Sequence, residues 1–381
     1  MSAAAIFAGD RVAGARADGP FIAGAFLLVG GVALATAAAG AALVVVALCL
    51  VGGALVLATA WRADRRALWA GIVASQIAVP LLVARVASEA GHVSPSTWLA
   101  LVGCWLVAIL AVSRLSALPL LSPALQRLRD IVVVALFGAW VLLWWQTLVV
   151  GFAVPLILLP APSVIWSKIV ASYPVLFADF RQTFLKAVLA GYAFGSILGF
   201  LAAIAADRVP FLRRGMLPVA NLVSALPIIG VAPIMVMWFG FDWTSKAAVV
   251  TVMTFFPMLV STLAGLSASD AMERDLMRTY AAGYWQSMFK LRLPAALPFI
   301  FTALKINTTL ALIGAIVAEF FGTPIVGMGF RISIEVGRMH LDAVWAEIAV
   351  AALAGSAFYG IVAIVERAAT FWHPSFRQIV N

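Results

Sequence analysis

The chain has 381 residues, of which 64% are hydrophobic and only 11% charged, with a net charge of +9. That balance excludes a soluble domain, in which about a quarter of the residues carry charge. It does not point to nucleic acid either, because the basic residues sit in short loops between apolar runs, where membrane topology puts them.

A helix that crosses hydrocarbon needs about 20 apolar residues. Ten segments meet or approach this length: about 20–39, 42–61, 67–87, 97–113, 131–151, 183–206, 217–239, 247–265, 299–321 and 344–365. The first follows Arg11 and Arg16 as a secretory signal would. Its apolar core is too long for one and more spans follow at once, so it reads as an uncleaved first helix. The first four spans are built of Ala, Val, Leu and Gly with few polar groups, and form a four-helix membrane block over residues 1–115. Cys49 and Cys104 both fall inside these spans and imply no disulfide framework or zinc site. His92, His340 and His373 lack ligand spacing, so no metal site is expected.

A basic, proline-marked segment, RLSALPLLSPALQRLRD, closes this block, and residues 116–130 read as a cytoplasmic connector. From 131 to 381 the spans change character, with prolines, aromatics and membrane-level Asn221, Asn307 and Glu319. Polar, irregular helices face protein or a water-filled path rather than lipid, so function is placed here. Between spans five and six, PAPS at 160–163 is a turn followed by an N-cap serine, and a short outer-face helix is expected from Val164. The seventh span carries Pro227 and Pro233, readable as a gate or as a static kink. Trp238, Phe239 and Trp243 suit an interfacial belt, or stacking on a planar solute.

Between the eighth and ninth spans lies the long polar stretch DLMRTYAAGYWQSMFKLRLPAALP, residues 275–298. At helical spacing Leu276, Met277, Tyr280, Ala281, Tyr284, Trp285 and Met288 share one face, and Arg278, Thr279, Gln286, Ser287 and Lys290 the other. Leu293-Pro294 is expected to end this helix. A short amphipathic helix at a membrane surface, about 275–293, serves either to be gripped by another protein or to lie on lipid. In the ninth span, Lys305 is placed to snorkel to the inner interface. Asn307, like Asn221, has two readings, lining a path or bridging helices. Glu319 likewise suits a substrate or proton role, or a hydrogen bond at a helix end. The loop before the tenth span holds Gly327 and Gly329, which permit close backbone approach.

With both termini in the cytoplasm, 17 of the 25 lysines and arginines fall inside and 7 outside, with Lys305 within a span. This positive-inside bias puts the 275–298 loop in the cytoplasm.

Residues 131–378 resemble the permease subunits of ATP-binding-cassette importers, the binding-protein-dependent transport family. The resemblance rests on the 275–298 loop and on LPAPS at 159–163, ALPIIGVAPIMVMWFGF at 225–241, FFPMLVSTLAGL at 255–266 and VAEFFGTPIVGMGFRI at 317–332. The family's loop carries Glu-Ala-Ala, Gly and Leu-Pro. Aligned on Trp285 and Leu293-Pro294, Asp275 takes the glutamate position and Ala281 the glycine, with Gly283 two residues on. The phrases fit the branch serving sulfonates, nitrate and pyrimidine precursors, and within it permeases for thiamine-pyrimidine precursors or riboflavin. The resemblance implies an all-α polytopic protein of about ten transmembrane helices, a six-helix permease core preceded by four extra ones, in a bacterial inner membrane. It implies contact with the ATPase through Asp275, Ala281, Gly283, Trp285, Leu293 and Pro294, and Asn221, Pro227, Asn307 and Glu319 as candidates for the path. It also implies as partners a separate ATP-binding subunit, a periplasmic substrate-binding protein and a second permease copy, in a homodimer surrounded by lipid. No G-x-x-x-x-G-K-[ST] phosphate loop is present, so the chain itself is expected to hydrolyse no ATP and to hold no cofactor. The rival reading is an ion-driven secondary transporter. Such proteins show internal repeats and paired intramembrane charges, and the sequence displays neither clearly.

Overall fold

The computed structural model describes residues 23–29, 31, 43–62, 65–116, 122–224, 227–322 and 325–371. Among them all regular structure is helical. Six helices among the described residues are long and apolar enough to cross a bilayer, and shorter apolar helices run over Val45–Val56, Ile72–Ser88 and Ile228–Phe239. The protein is thus an all-α polytopic membrane protein. Most of the first expected span, 20–39, lies outside the described residues.

Two compact units divide the chain, residues 1–164 and 165–381. The first holds α1 (Leu43–Arg62), α2 (Arg65–Ser88), α3 (Pro95–Ser116) and α4 (Pro123–Gly151). Residues 123–130 of the expected connector are the opening turns of α4, with Pro123 at the helix start where its missing N–H is no loss. Leu27, Cys49, Leu82, Cys104 and Val107 are buried in one apolar core, and Trp140 of α4 packs into it. Both cysteines are free thiols.

The second unit opens within α5 (Pro162–Ala171), the short helix predicted after the PAPS turn; it starts at Pro162 rather than Val164, so Ser163 lies inside its first turn and is not its cap. Next come α6 (Tyr173–Arg208), α7 (Pro210–Ser224), α8 (Ile228–Phe239), α9 (Trp243–Ser267), α10 (Ala271–Thr279), α11 (Tyr284–Glu319), α12 (Met328–Gly337) and α13 (Leu341–Ala369). The expected seventh span is two helices. Helix α7 ends at Ser224 and α8 begins at Ile228; Pro227 caps α8 in an extended conformation, while Pro233 is carried inside it. Pro227 stands just outside α8, where its missing N–H breaks no helical hydrogen bond.

At the centre of this unit α9 packs between α6 and α11. The α6 contact is a glycine seam. A Cβ on Gly191 would lie 2.6 Å from the Ala247 carbonyl oxygen, one on Gly195 2.5 Å from that of Thr251, and one on Gly199 2.4 Å from that of Phe255. Three glycines at four-residue spacing let the two backbones touch, the device by which helices associate where solvent apolarity gives no drive. Asn307 of α11 ties the three helices together at mid-height. Its Nδ2 donates to the Thr254 carbonyl of α9 at 2.9 Å and to Ser196 Oγ of α6 at 3.2 Å. On the far side α13 joins through Lys305 and Glu366, 2.7 Å apart. Lys305 is therefore paired across helices rather than snorkelling.

Candidate functional site

At one end of the second unit, the ends of α6 and α9 meet the start of α11, and α10 projects beyond them. Asp270 caps α10, its carboxylate accepting from Met272 N at 3.1 Å. The helix closes with paired hydrogen bonds, Ala281 N to the Arg278 carbonyl at 2.9 Å and Ala282 N to the Met277 carbonyl at 3.0 Å. This is a Schellman closure, which needs a left-handed residue at its corner. Ala281 supplies it with φ of +50°. The glycine expected at this position by resemblance is thus a conformational requirement, which alanine meets at a cost of about 1 kcal/mol.

The single helix expected over 275–293 is in fact two, separated by this corner. Asp275 is mid-helix and exposed, paired with Arg278 at 3.1 Å, and takes no part in the cap. Gly283 opens α11, its N–H donating to Gln286 Oε1 at 3.0 Å. Its φ of −67° makes no demand for glycine, and a Cβ there would meet nothing within 4 Å. Nor does Leu293-Pro294 end a helix: α11 runs through it to Glu319. Directly before it lies a π-helical turn, Met288–Arg292. That wider turn absorbs the missing proline N–H without breaking the rod.

The corner also divides the expected apolar face. Met272, Leu276 and Tyr280 form an exposed row along α10, and Trp285 and Phe289 a stacked exposed pair on α11. Met288 is buried. Tyr284 turns inward, where its hydroxyl donates to Asp207 Oδ2 at 2.9 Å. Asp207 also receives two hydrogen bonds from Arg292, at 2.6 and 2.8 Å, and Arg292 donates in turn to the Leu266 carbonyl of α9 at 3.1 Å. The Arg208 guanidinium lies over the Tyr284 ring, 4.5 Å from its centre.

At the opposite end Glu319 is buried at the close of α11. It accepts from Thr183 Oγ1 and from Gly329 N, both at 2.7 Å. Gly327 N donates to Asp179 Oδ1 at 2.6 Å and Met328 N to Thr183 Oγ1 at 2.8 Å. Three side chains from α6 and α11 thus satisfy three backbone donors where α12 begins, groups that would otherwise be orphaned. A Cβ on Gly329 would stand 2.1 Å from the Ile316 carbonyl, so only glycine fits there. Arg331 donates to Asp179 Oδ2 at 2.9 Å. Burial works against its charge, but the Asp179 carboxylate outweighs this and holds the guanidinium pKa above its ordinary value. Lys246 of α9 donates to the carbonyls of Phe241 and Gly322.

The path candidates fall in three places. Asn307 bridges helices, and Glu319 belongs to the α12 network. Pro227 lies at the α7–α8 break, beside an apolar cavity of about 280 Å³ lined by Ile228, Met235, Val249, Met253, Phe256 and Leu310. Asn221 is on α7, with its side chain outside the described residues. Sequence reasoning missed Asp179, Thr183 and Asp207. Asp179 lies outside the expected span of 183–206, because α6 begins ten residues before it. Asp207 falls one residue past the end of that span, and nothing in a linear pattern pairs it with Arg292.

Residues 195–371 match the family described as binding-protein-dependent transport system inner membrane component. The riboflavin transport system permease protein of Chloroflexus aurantiacus is 27% identical over 61% of this chain and 87% of its own length. The formylaminopyrimidine transport permease protein of Halalkalibacterium halodurans is 33% identical over 43% of this chain and 66% of its own. A putative aliphatic sulfonates transport permease protein of Bacillus subtilis is 28% identical over 53% and 72%.

Proposed function

Since the chain belongs to the binding-protein-dependent permeases of ATP-binding-cassette importers, we propose that it couples ATP hydrolysis by a separate subunit to uptake of a small organic solute. The solute is of the pyrimidine-precursor, riboflavin-like or sulfonate-like kind, delivered by a periplasmic substrate-binding protein. The membrane is the bacterial inner membrane. The excess of basic residues in the loops on one side supports a topology with both termini and α10 on its cytoplasmic side.

The observation that carries this reading is the exposed apolar surface of Met272, Leu276, Tyr280, Trp285 and Phe289 at the polar end of the unit. Large apolar groups grouped on a protruding helix mark a protein contact. The ATP-binding subunit grips α10 and the first turn of α11 there. The solute passes by the apolar cavity at the Pro227 break, with a second copy of the chain completing the path. Residues 1–115 serve the stability of the subunit and not its transport step.

The test is co-purification with the ATP-binding subunit, together with ATP-driven uptake. Leu276→Glu with Trp285→Glu places two charges in the contact, and each side chain is more than half exposed in the free chain. The double variant should insert and fold normally, lose the ATP-binding subunit and stop uptake. Undiminished co-purification and uptake would refute the docking surface.

A further inference from the structure

We propose that Asp207, Arg292 and Tyr284 form a latch of positioning residues that carries movement of the docked loop into α6 and α9. The inference rests on the docking reading above.

The geometry runs through one residue step. Trp285 faces outward on the docking surface, while its neighbour Tyr284 faces inward and donates to Asp207. Asp207 is the penultimate residue of α6, with its side chain 5% exposed. Arg292 grips both of its oxygens and, through two further N–H groups, the Leu266 carbonyl near the end of α9. Three helix ends therefore converge on one guanidinium.

An apolar contact would hold these ends together but would let them slide, because dispersion is weakly directional. A bidentate carboxylate–guanidinium pair accepts one planar arrangement. Any tilt of the first turns of α11 then displaces α6 and α9 with it. The ties further along act in the same sense: Asn307 at mid-height, and Thr183 to Glu319 at the far end. The three helices move as one body. In contrast, α8 meets them through Ala232, Ile228 and Met235 in an apolar cluster with α9 and α11. It follows the break at Pro227, so the body is free to move against it.

The experiment uses the complex with its ATP-binding subunit, reconstituted in lipid nanodiscs. Cys49 and Cys104 are buried, so a Met253→Cys variant gives a reporter in the cavity wall. Its labelling by N-ethylmaleimide is timed without nucleotide and after trapping with ATP and vanadate. In the parent the rate should change at least roughly tenfold between the two states, as a cavity opening or closing to water demands. Asp207→Asn keeps the shape but loses the charge. It should still bind the ATP-binding subunit and trap vanadate, while labelling no longer responds. Asp207→Glu should restore the response. Tyr284→Phe removes one hydroxyl without opening a core, so it tests the latch even where Asp207→Asn fails to assemble; its response should fall severalfold. An undiminished response in assembled Asp207→Asn or Tyr284→Phe complexes overturns the latch. Failure of the parent to bind the ATP-binding subunit overturns instead the docking reading on which it rests.

Discussion

The glycine seam between α6 and α9 makes a quantitative prediction at Gly195. A Cβ placed there would stand 2.5 Å from the Thr251 carbonyl oxygen and 2.0 Å from Thr254 Oγ1. Ordinary contact begins at 3.4 Å, so the Thr251 carbonyl alone requires the backbones to part by about 0.9 Å. Thr254 cannot swing clear cheaply, because its hydroxyl is tied to the Val250 carbonyl at 2.9 Å. A gap of that size forfeits roughly a quarter to a half of each dispersive contact along the seam. Gly195→Ala should therefore cost about 3 kcal/mol, the upper end of the range for overpacking. At roughly 2–4 °C per kcal/mol for a unit of this size, the melting point should fall by on the order of 10 °C. Gly360→Ala on α13 is the control, since its Cβ would meet nothing within 4 Å. Alanine is there the better helix former by about 0.5–1 kcal/mol. Thermal unfolding of the detergent-purified chain by tryptophan fluorescence separates the two. Equal melting points for both variants would refute the close-packed seam.

Three further outcomes follow from other sites. Ala281→Gly relieves the left-handed corner and should raise resistance of the α10 loop to limited proteolysis by a factor matching about 1 kcal/mol, whereas Ala281→Val should lower it; the opposite order would show that the corner is not strained. Lys305→Met leaves Glu366 buried without its partner and should cost about 3 kcal/mol in chemical unfolding, the low end for breaking a buried pair. Adding Glu366→Leu should recover most of this, and a double variant as unstable as the single would count against a pairing role. Deleting residues 2–115 strips Trp140 and Leu143 of α4 of their packing partners in the first unit, so abundance measured by immunoblot should fall. Uptake per assembled complex should stay near normal, and a stable assembled complex without transport would place these helices in the mechanism.

Much of the fold was legible because hydrocarbon length sets helix length. α1, α2, α3, α9 and α13 fall within a few residues of the apolar runs that predicted them. The errors lie where a helix continues past its apolar run or contains a proline. Pro174, Asp179, Arg181 and Gln182 interrupt the apolar run, so residues 173–182 fall outside the expected span, yet they extend α6 and bring Asp179 to the start of α12. Pro227 and Pro233 look alike in sequence, and only the position within the helix separates a break from a tolerated insertion. At the loop, periodicity gave one face to Leu276, Tyr284, Trp285 and Met288 together, because a helical wheel assumes no turn between them. A left-handed alanine carries no local signal, and here the glycine expected by resemblance was the better guide. The Asp207–Arg292 pair spans 85 positions, a distance that no reading of local pattern bridges.

The π-helical turn at Met288–Arg292 holds one residue more than an α-helical turn would in the same rise. Deleting any single residue within it would let α11 close into plain α-geometry. The segments on either side would keep nearly the same direction, because the turn carries its extra residue within the rise and rotation of an α-helical turn. Trp285 before the turn and the membrane segment after it would hold their mutual orientation. The same deletion in the plain α-helix further along would instead rotate one segment against the other by about 100° and shift it by about 1.5 Å. Single-residue length variation at this turn is therefore absorbed without re-aiming the helix end, and chains of this kind that differ by one residue here should still exchange partners.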